Sequence, residues 1–305
     1  MGENRISVNQ FCTSNPLVQR AWDAYSLSQT ICWRKYEYAV LKGYSRSAAP
    51  LDWGIAFHHV LQAYLKARPE GREVATNAAV RMALECTWPE IPSLNGEDKR
   101  RTRWTLVRAS VWYDEQYGAE EVRVLSLDGK PAIETSFRIP TEPVTPDGDP
   151  YLLVGYLDAI LEVEQGLWLV DFKHTTKSLT NYYWDQFFPN TQMSLYNLAK
   201  IIVLPEAVKG VMLLAAQIGV GFCRFDRKPI YRTRAQSEEF TQTVYDKIAE
   251  AKFWAEQGRW PMDEEACGLF GGCSYRDVCR QDPALRGDYL KRFYKVRKWN
   301  PLDER

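Results

Sequence analysis

Leu153 to Lys173 reads LVGYLDAILEVEQGLWLVDFK. It parses as two apolar runs, Val154 to Val163 and Leu167 to Phe172, separated by Glu164-Gln165-Gly166. A break that short joins antiparallel strands, so the stretch predicts a β-hairpin. Two acidic residues interrupt it. Asp158 sits among Gly155, Tyr156, Leu157, Ala159 and Ile160, and Asp171 directly follows Leu169-Val170. A carboxylate between apolar strand residues is costly to desolvate unless a cation or hydrogen bonds satisfy it. Lys173 lies two residues beyond Asp171, so in a strand the two side chains share a face. Two carboxylates and an amine converging there suit a divalent-metal phosphodiesterase site, where carboxylate oxygens hold magnesium or manganese and the ammonium contacts a phosphate or the attacking water.

A lone D-x-K at a strand end is more often a surface ion pair, so the reading needs further motifs. Gly155-x-x-Asp158 lies just upstream, Gln192-x-x-x-Tyr196 downstream and Gly54-x-x-x-His58 far upstream. In that order and spacing the chain resembles the RecB-like branch of the PD-(D/E)XK nuclease superfamily, from about Ser26 to Cys279. The resemblance implies a restriction-endonuclease-like α/β fold, a mixed central sheet flanked by helices. It also implies a metal site of His58, Asp158, Asp171 and the Phe172 carbonyl, with Lys173 acting on the water and Gln192 and Tyr196 positioning the strand and the lysine.

A second stretch narrows the resemblance. Cys267 to Cys279 reads CGLFGGCSYRDVC, three cysteines at two equal gaps, with glycines that permit tight turns. Zinc is the default for four cysteines. Cys32, in the pattern Ser26-x-Ser28-x-x-x-Cys32-x-x-x-Tyr36, would by itself be an ordinary buried small hydrophobe. One distant N-terminal Cys with a C-terminal triplet is, however, similar to the 4Fe-4S site of family members that carry a cluster, including the CRISPR-adaptation nuclease and phage exonucleases. That resemblance assigns Cys32, Cys267, Cys273 and Cys279 as ligands. Cys12, Cys86 and Cys223 remain ordinary thiols, with Cys12 the reserve ligand.

The chain has 305 residues, 45% of them hydrophobic and 26% charged, and its 39 basic and 39 acidic residues cancel. Neutral balance argues against indiscriminate binding to polyanions but leaves room for a local basic groove. No N-terminal stretch has the apolar core of a signal peptide and no run approaches the roughly 20 apolar residues of a membrane span. A cytoplasmic protein with no membrane association is expected. Seven cysteines, an odd number, speak for thiols or metal ligands rather than a disulfide framework. The whole of 1–305 is expected to form one nuclease domain, with a helical insertion at about 70–120 and the cluster region near the C-terminus.

Along the chain, Ser26 or Ser28 is a candidate helix N-cap. Leu51 to Ala67 has helical periodicity, and because successive helical residues stand about 100° apart, only one of His58 and His59 can face a given site. Lys99-Arg-Arg-Thr-Arg103-Trp104 and Arg108 set bases beside an aromatic, suited to a phosphate backbone and a stacked base, although a charge run is more often a solvated face. Ala132 to Pro140 alternates as a strand. Glu134 lies where the resemblance often puts an acid, but it is not assigned as a ligand. Thr141 to Pro150, with three prolines, is expected to loop. His174 should point away from the face of Asp171 and Lys173. Tyr182-Tyr-Trp184 and Phe187-Phe188 are core packing or a stacking platform. Thr191 to Val203 is a helix, Val208 to Val220 and Arg224 to Arg234 are strands, and Ser237 to Gln257 is a long helix. Basic and aromatic residues from Leu285 to Trp299, including Lys298, form a tail that either touches DNA or packs on the body.

The expected activity is metal-dependent exonucleolytic hydrolysis of DNA, on single-stranded ends, with a helicase, recombinase or CRISPR-adaptation partner. Two rivals are a non-cleaving DNA-binding or partner-docking iron-sulfur module and a zinc-stapled structural protein.

Overall fold

The computed structural model describes residues 12, 17–46, 49–86, 94, 98–297 and 300–302. Lys298 and Trp299 of the expected basic tail lie outside them. In chain order the elements are β1 (Ala21–Trp22), α1 (Ala24–Gln29), α2 (Trp33–Tyr36), β2 (Tyr44–Ser45), α3 (Ala49–Ala67), α4 (Arg72–Cys86) and α5 (Arg103–Tyr117). Short strands β3 (Arg123–Val124), β4 (Ser126–Leu127) and β5 (Lys130–Pro131) precede the long β6 (Ile133–Val144), β7 (Pro150–Val163) and β8 (Gly166–Thr175). Then come α6 (Asn181–Asp185), α7 (Thr191–Val203), β9 (Val208–Ile218), β10 (Cys223–Ile230), α8 (Arg234–Glu256), α9 (Arg276–Cys279), α10 (Arg286–Phe293) and β11 (Lys295–Val296).

A seven-stranded mixed sheet runs in the order β1-β7-β8-β9-β10, with β3 and β6 also pairing with β7. The chain is therefore an α/β protein with a mixed central sheet and helices around it, as expected for a restriction-endonuclease-like fold. It divides into two compact units, one of Met1–Arg46, Arg138–Gly155 and Arg234–Arg305, the other of Ser47–Phe137 and Tyr156–Thr233. None of the described helices is long and apolar enough to cross a membrane.

In the second unit the decisive hairpin forms as β7 and β8, antiparallel in a register that runs from Ala159↔Val170 to Val163↔Gly166. Gly166 is the first residue of β8 rather than part of the turn, which is Glu164-Gln165 alone. The backbone at Gly166 has φ 109°, a conformation that favours glycine, and the end of the Lys209 side chain lies over the space where a Cβ would stand. β8 pairs parallel with β9 and β9 antiparallel with β10. Val170, Phe172, Leu214, Ala216 and Phe225 alternate onto one sheet face and pack with Trp53, Phe57 and Leu61 of α3 and Leu106, Ala109 and Tyr113 of α5. The helical segment between residues 70 and 120 is thus part of the core. Thr102 caps α5 through a reciprocal box with Thr105.

In the first unit, β1 pairs parallel with β7 (Ala21↔Leu152, Trp22↔Leu153). The fully buried Trp22 stacks on Tyr36 with ring centroids 5.6 Å apart. Two expectations are corrected here. The cap of α1 is Asp23, whose side chain accepts the Ser26 amide at 2.8 Å, while Ser26 serves as the reciprocal member of the box. The expected loop from Thr141 to Pro150 shrinks to Thr145–Asp149, because β6 continues to Val144. Thr141 Oγ1 donates to the Tyr151 carbonyl at 2.9 Å, and the Thr145 amide to that of Asp149 at 2.7 Å.

Candidate active site

Helix α3 brings an imidazole to the sheet because of a glycine. A Cβ at Gly54 would stand 2.6 Å from Cε1 of His174, so only glycine lets the helix lie against that ring. His174 also packs on Trp53, with centroids 5.1 Å apart, on the sheet face opposite Asp171 and Lys173. One turn after Gly54, His58 meets Phe172 edge-on at 6.0 Å, and its Nδ1 lies 3.2 Å from Oδ1 of Asp158. His59 is exposed.

Asp158 stands where the β7–β8 ladder ends. Its Oδ2 accepts the backbone N–H of Phe172 at 2.8 Å, taking the place of a main-chain carbonyl. Burial pushes the Asp158 carboxyl up, but His58, Lys173 and that amide together hold it below its ordinary value. Burial pulls the His58 imidazole down, while the Asp158 carboxylate more than offsets this and the net shift is upward.

Asp171 has no exposed side-chain surface. Its Oδ2 forms an ion pair with Lys173 Nζ at 2.6 Å, and neither oxygen accepts a hydrogen bond among the described residues. Burial pushes the carboxyl up to about 6, with Asp158 adding to the rise and Lys173 opposing it. A buried carboxylate whose lone pairs are so poorly satisfied is what a cation site leaves behind.

Among the described residues, the ligand atoms of His58, Glu134 and Asp158 lie within 4.8 Å of one another. Glu134, unassigned from the sequence although the resemblance often puts an acid there, joins the group in the structure. Its backbone carries a distinguishing mark. At φ 53° it is in the left-handed region, sparsely populated by glutamate and typical of sites where the surroundings hold a strained residue in place. Gln62 on α3 donates to its Oε1. A divalent cation therefore fits, bounded by one imidazole and carboxylates, with Asp171 next to Phe172 along β8.

Gln192 and Tyr196 share one face of α7, whose start Asn190 caps. Gln192 Nε2 donates to Tyr196 Oη at 2.9 Å, and Tyr196 Oη donates to the Tyr156 carbonyl at 2.8 Å, two residues before Asp158. Tyr183, Trp184 and Phe187 are buried against one another, so these three are packing, whereas Tyr182 and Phe188 are exposed. Of the expected basic run, Arg100 and Arg101 are both held by Asp98. Trp104 remains 70% exposed.

In the other unit Cys32, Cys267, Cys273 and Cys279 line one recess, with Tyr275 and Met262. The Asp263 amide points at Cys32 Sγ at 3.4 Å and the Tyr275 amide at Cys273 Sγ at 3.5 Å. Burial pushes the Cys279 thiol up to about 11, Arg34 and Arg286 opposing and Cys32 and Cys273 adding. Gly272 turns the chain at φ 108° between Cys267 and Cys273, and the Cys273 amide closes the loop onto the Cys267 carbonyl at 3.0 Å. Cys12 is buried beside Ala21 and Val154, and Cys223 lies in the core of the second unit.

Residues 28–280 match the model of the PD-(D/E)XK nuclease superfamily, and the chain belongs to that superfamily. The match spans His58, the hairpin acids, Lys173, the α7 pair and all four recess cysteines. No curated protein matches the chain. The protein is accordingly a nuclease of a superfamily whose members use divalent metals.

Proposed function

We propose that the protein is a magnesium- or manganese-dependent deoxyribonuclease of the RecB-like branch, acting as an exonuclease on single-stranded ends in recombination, repair or DNA processing. The observation that carries this reading is Asp171, buried without a hydrogen bond beside Lys173 and beside an Asp158 already grouped with His58 and Glu134. His58, Asp158, Asp171 and the Phe172 carbonyl would hold the ion, and Glu134 joins them on geometry. Carboxylate oxygens suit both metals, and an imidazole in the set makes manganese the better match of the two. The bound ion would supply Lewis acidity and an activated water. Lys173 orients that water and stabilises charge developing on the phosphate, while Asp171 fixes the ammonium by their ion pair. Tyr196, braced by Gln192, holds the β7 backbone and with it Asp158.

The recess cysteines are read as ligands of one 4Fe-4S cluster with a structural role. What supports this reading is that all four thiols line one recess, where thiolates could hold a cluster in common. We also read residues 1–305 as one domain, since each compact unit is assembled from interleaved segments of the chain. Cytoplasmic location and a helicase, recombinase or CRISPR-adaptation partner belong to the same reading.

The test is digestion of end-labelled single- and double-stranded DNA with free and blocked ends, in magnesium, manganese or EDTA. Metal-dependent release of nucleotides from free single-stranded ends is expected. Metal-independent cutting, or none in either metal, would refute the assignment.

A further inference from the structure

We propose that the outer face of β10 is a binding lane for single-stranded DNA, in which Arg224 and Lys228 hold two phosphates and Phe222 and Phe188 stack bases. The inference rests on the nuclease reading for its substrate and on separate geometry for its place.

Sheet register connects the lane to the catalytic carboxylate. Asp171 pairs with Leu213, which pairs with Lys228; Thr175 pairs with Gln217, which pairs with Arg224. Paired residues project to the same face, so Arg224 and Lys228 emerge on the side of Asp171 and Lys173, with Lys228 two strand spacings or about 10 Å across from Asp171 and Arg224 a further four residues, about 13 Å, along the strand. On the opposite face of β10, Cys223 and Phe225 are buried in the core. At the end of the strand order, β10 thus turns Cys223 and Phe225 inward, while its other face carries the exposed Arg224 and Asp226 and the half-buried Lys228.

Each cation is paired with an aromatic ring. The Arg224 guanidinium lies 5.2 Å from the Phe222 ring, and Lys228 Nζ lies 5.7 Å from that of Phe188. Phe222 and Phe188 are 37% and 40% exposed, large for phenylalanine beside a sheet. The Phe222 ring is held in place. It folds over Gly219, where a Cβ would stand 2.3 Å from it, and the Gly219 amide donates to the Phe222 carbonyl at 2.8 Å. Arg108 grips the same turn through the Val220 carbonyl. A preset ring beside a guanidinium matches the base-and-phosphate alternation of a single strand, whereas a duplex keeps its bases stacked internally.

Asp226 lies between the two cations on this face and is exposed. Its carboxylate accepts the Arg227 amide at 2.8 Å and repels a phosphate placed midway, so Arg224 and Lys228 act as two separate stations.

The experiment measures binding of a fluorescent oligothymidylate to the full chain in EDTA, where hydrolysis is off, between 50 and 200 mM salt. Removing two phosphate contacts in Arg224→Ala/Lys228→Ala should lower the log–log salt slope by about 1.4, at about 0.7 per contact. Phe222→Ala should weaken binding at least about fivefold with the slope kept. Asp226→Asn should tighten it. Affinity for a blunt hairpin duplex should change much less in each variant. Unchanged affinity and slope in a double variant that melts like the wild type would overturn the lane. So would aggregation with unchanged affinity, which would make the cations guards of an exposed sheet edge. If the wild type binds through these residues but cuts no DNA in either metal, the nuclease reading fails and the lane stands. If it cuts DNA while the variants bind normally, the lane alone fails.

Discussion

Asp158 is bound to Phe172 through its side chain, not through the ladder. Oδ2 takes the Phe172 amide at 2.8 Å where β7 and β8 part, and this turns Oδ1 toward His58 at 3.2 Å. The carboxylate thus does two jobs at once: it ends the strand pairing and it sets the charge of the imidazole. Asp158→Asn keeps an acceptor for the amide but removes the charge. Burial then dominates at His58, and its pKa should fall from above the ordinary value to below it. Histidine titration by NMR in the metal-free protein measures this directly. An imidazole that titrates as in the wild type would show that Asp158 does not control it.

Asp171→Asn should abolish cleavage and yet stabilise the metal-free fold. The folded-state carboxyl is raised from 3.8 to about 6, so the native protein holds its proton while the unfolded chain releases it. Stability is therefore fully present below about pH 4, falls as pH rises toward 6 and stays low above that. At 1.36 kcal/mol per unit, the whole loss is at most about 3 kcal/mol. Chemical denaturation in EDTA at pH 8 should find the variant more stable by up to that amount, with the gap closing near pH 4. Divalent metal should raise the melting temperature of the wild type and leave the variant nearly unmoved. A variant less stable than the wild type at pH 8 would contradict the unsatisfied carboxylate.

His58→Ala and Glu134→Gln should both raise the metal concentration needed for activity, by at least about tenfold, the scale on which even outer partners of a metal site act. His59→Ala should leave it near that of the wild type, since His59 is exposed on the same helix. Metal titrations of initial rate separate the three. An effect at His59 equal to that at His58 would mean that α3 presents a different face than the Gly54–His174 contact dictates.

The sequence made the hairpin legible because apolar alternation and a two-residue break are local signals, and Asp171 and Lys173 share a face by strand geometry alone. Helix α7 was legible for the same reason. Glu134 was not, because its partners His58 and Asp158 lie 76 and 24 positions away and only folding brings them within 4.8 Å. The α1 cap is not legible from its serines, because Asp23 and Ser26 satisfy each other reciprocally and a pattern of serines does not say which end of a capping box is the cap. The extension of β6 past Pro143 was hidden by prolines that read as loop, although Thr141 and Thr145 tie that segment back to Tyr151 and Asp149.

Replacing Cys32, Cys267, Cys273 or Cys279 singly by Ala should lower the melting temperature together with iron and sulfide content. A link between Cys32 and Cys267 closes a loop of about 235 residues, which by chain-entropy arithmetic restricts the unfolded chain by about 5 kcal/mol. That is comparable to the total stability of many domains, near 5–15 kcal/mol. Lys173→Ala should do the opposite, keeping iron, sulfide and fold while losing cleavage. A Cys32→Ala protein with four irons and a wild-type melt would remove Cys32 from the ligand set.

Tyr196→Phe deletes one oxygen and tests how Asp158 is held. The hydroxyl is buried, donates to the Tyr156 carbonyl and accepts from Gln192, so its loss removes two hydrogen bonds, each with a net worth of about 0.5–1.5 kcal/mol. The carbonyl belongs to the strand two residues before Asp158, and relaxation there moves the carboxylate before it disturbs anything the substrate touches. The expected signature is a fall in kcat with KM for DNA little changed, since the hydroxyl acts on position rather than on binding. Gln192→Ala should cost less alone and almost nothing on top of Tyr196→Phe, because its amide acts through that hydroxyl. Additive losses in the double variant would show that Gln192 has a separate role at the phosphate, outside the bond it makes to Tyr196.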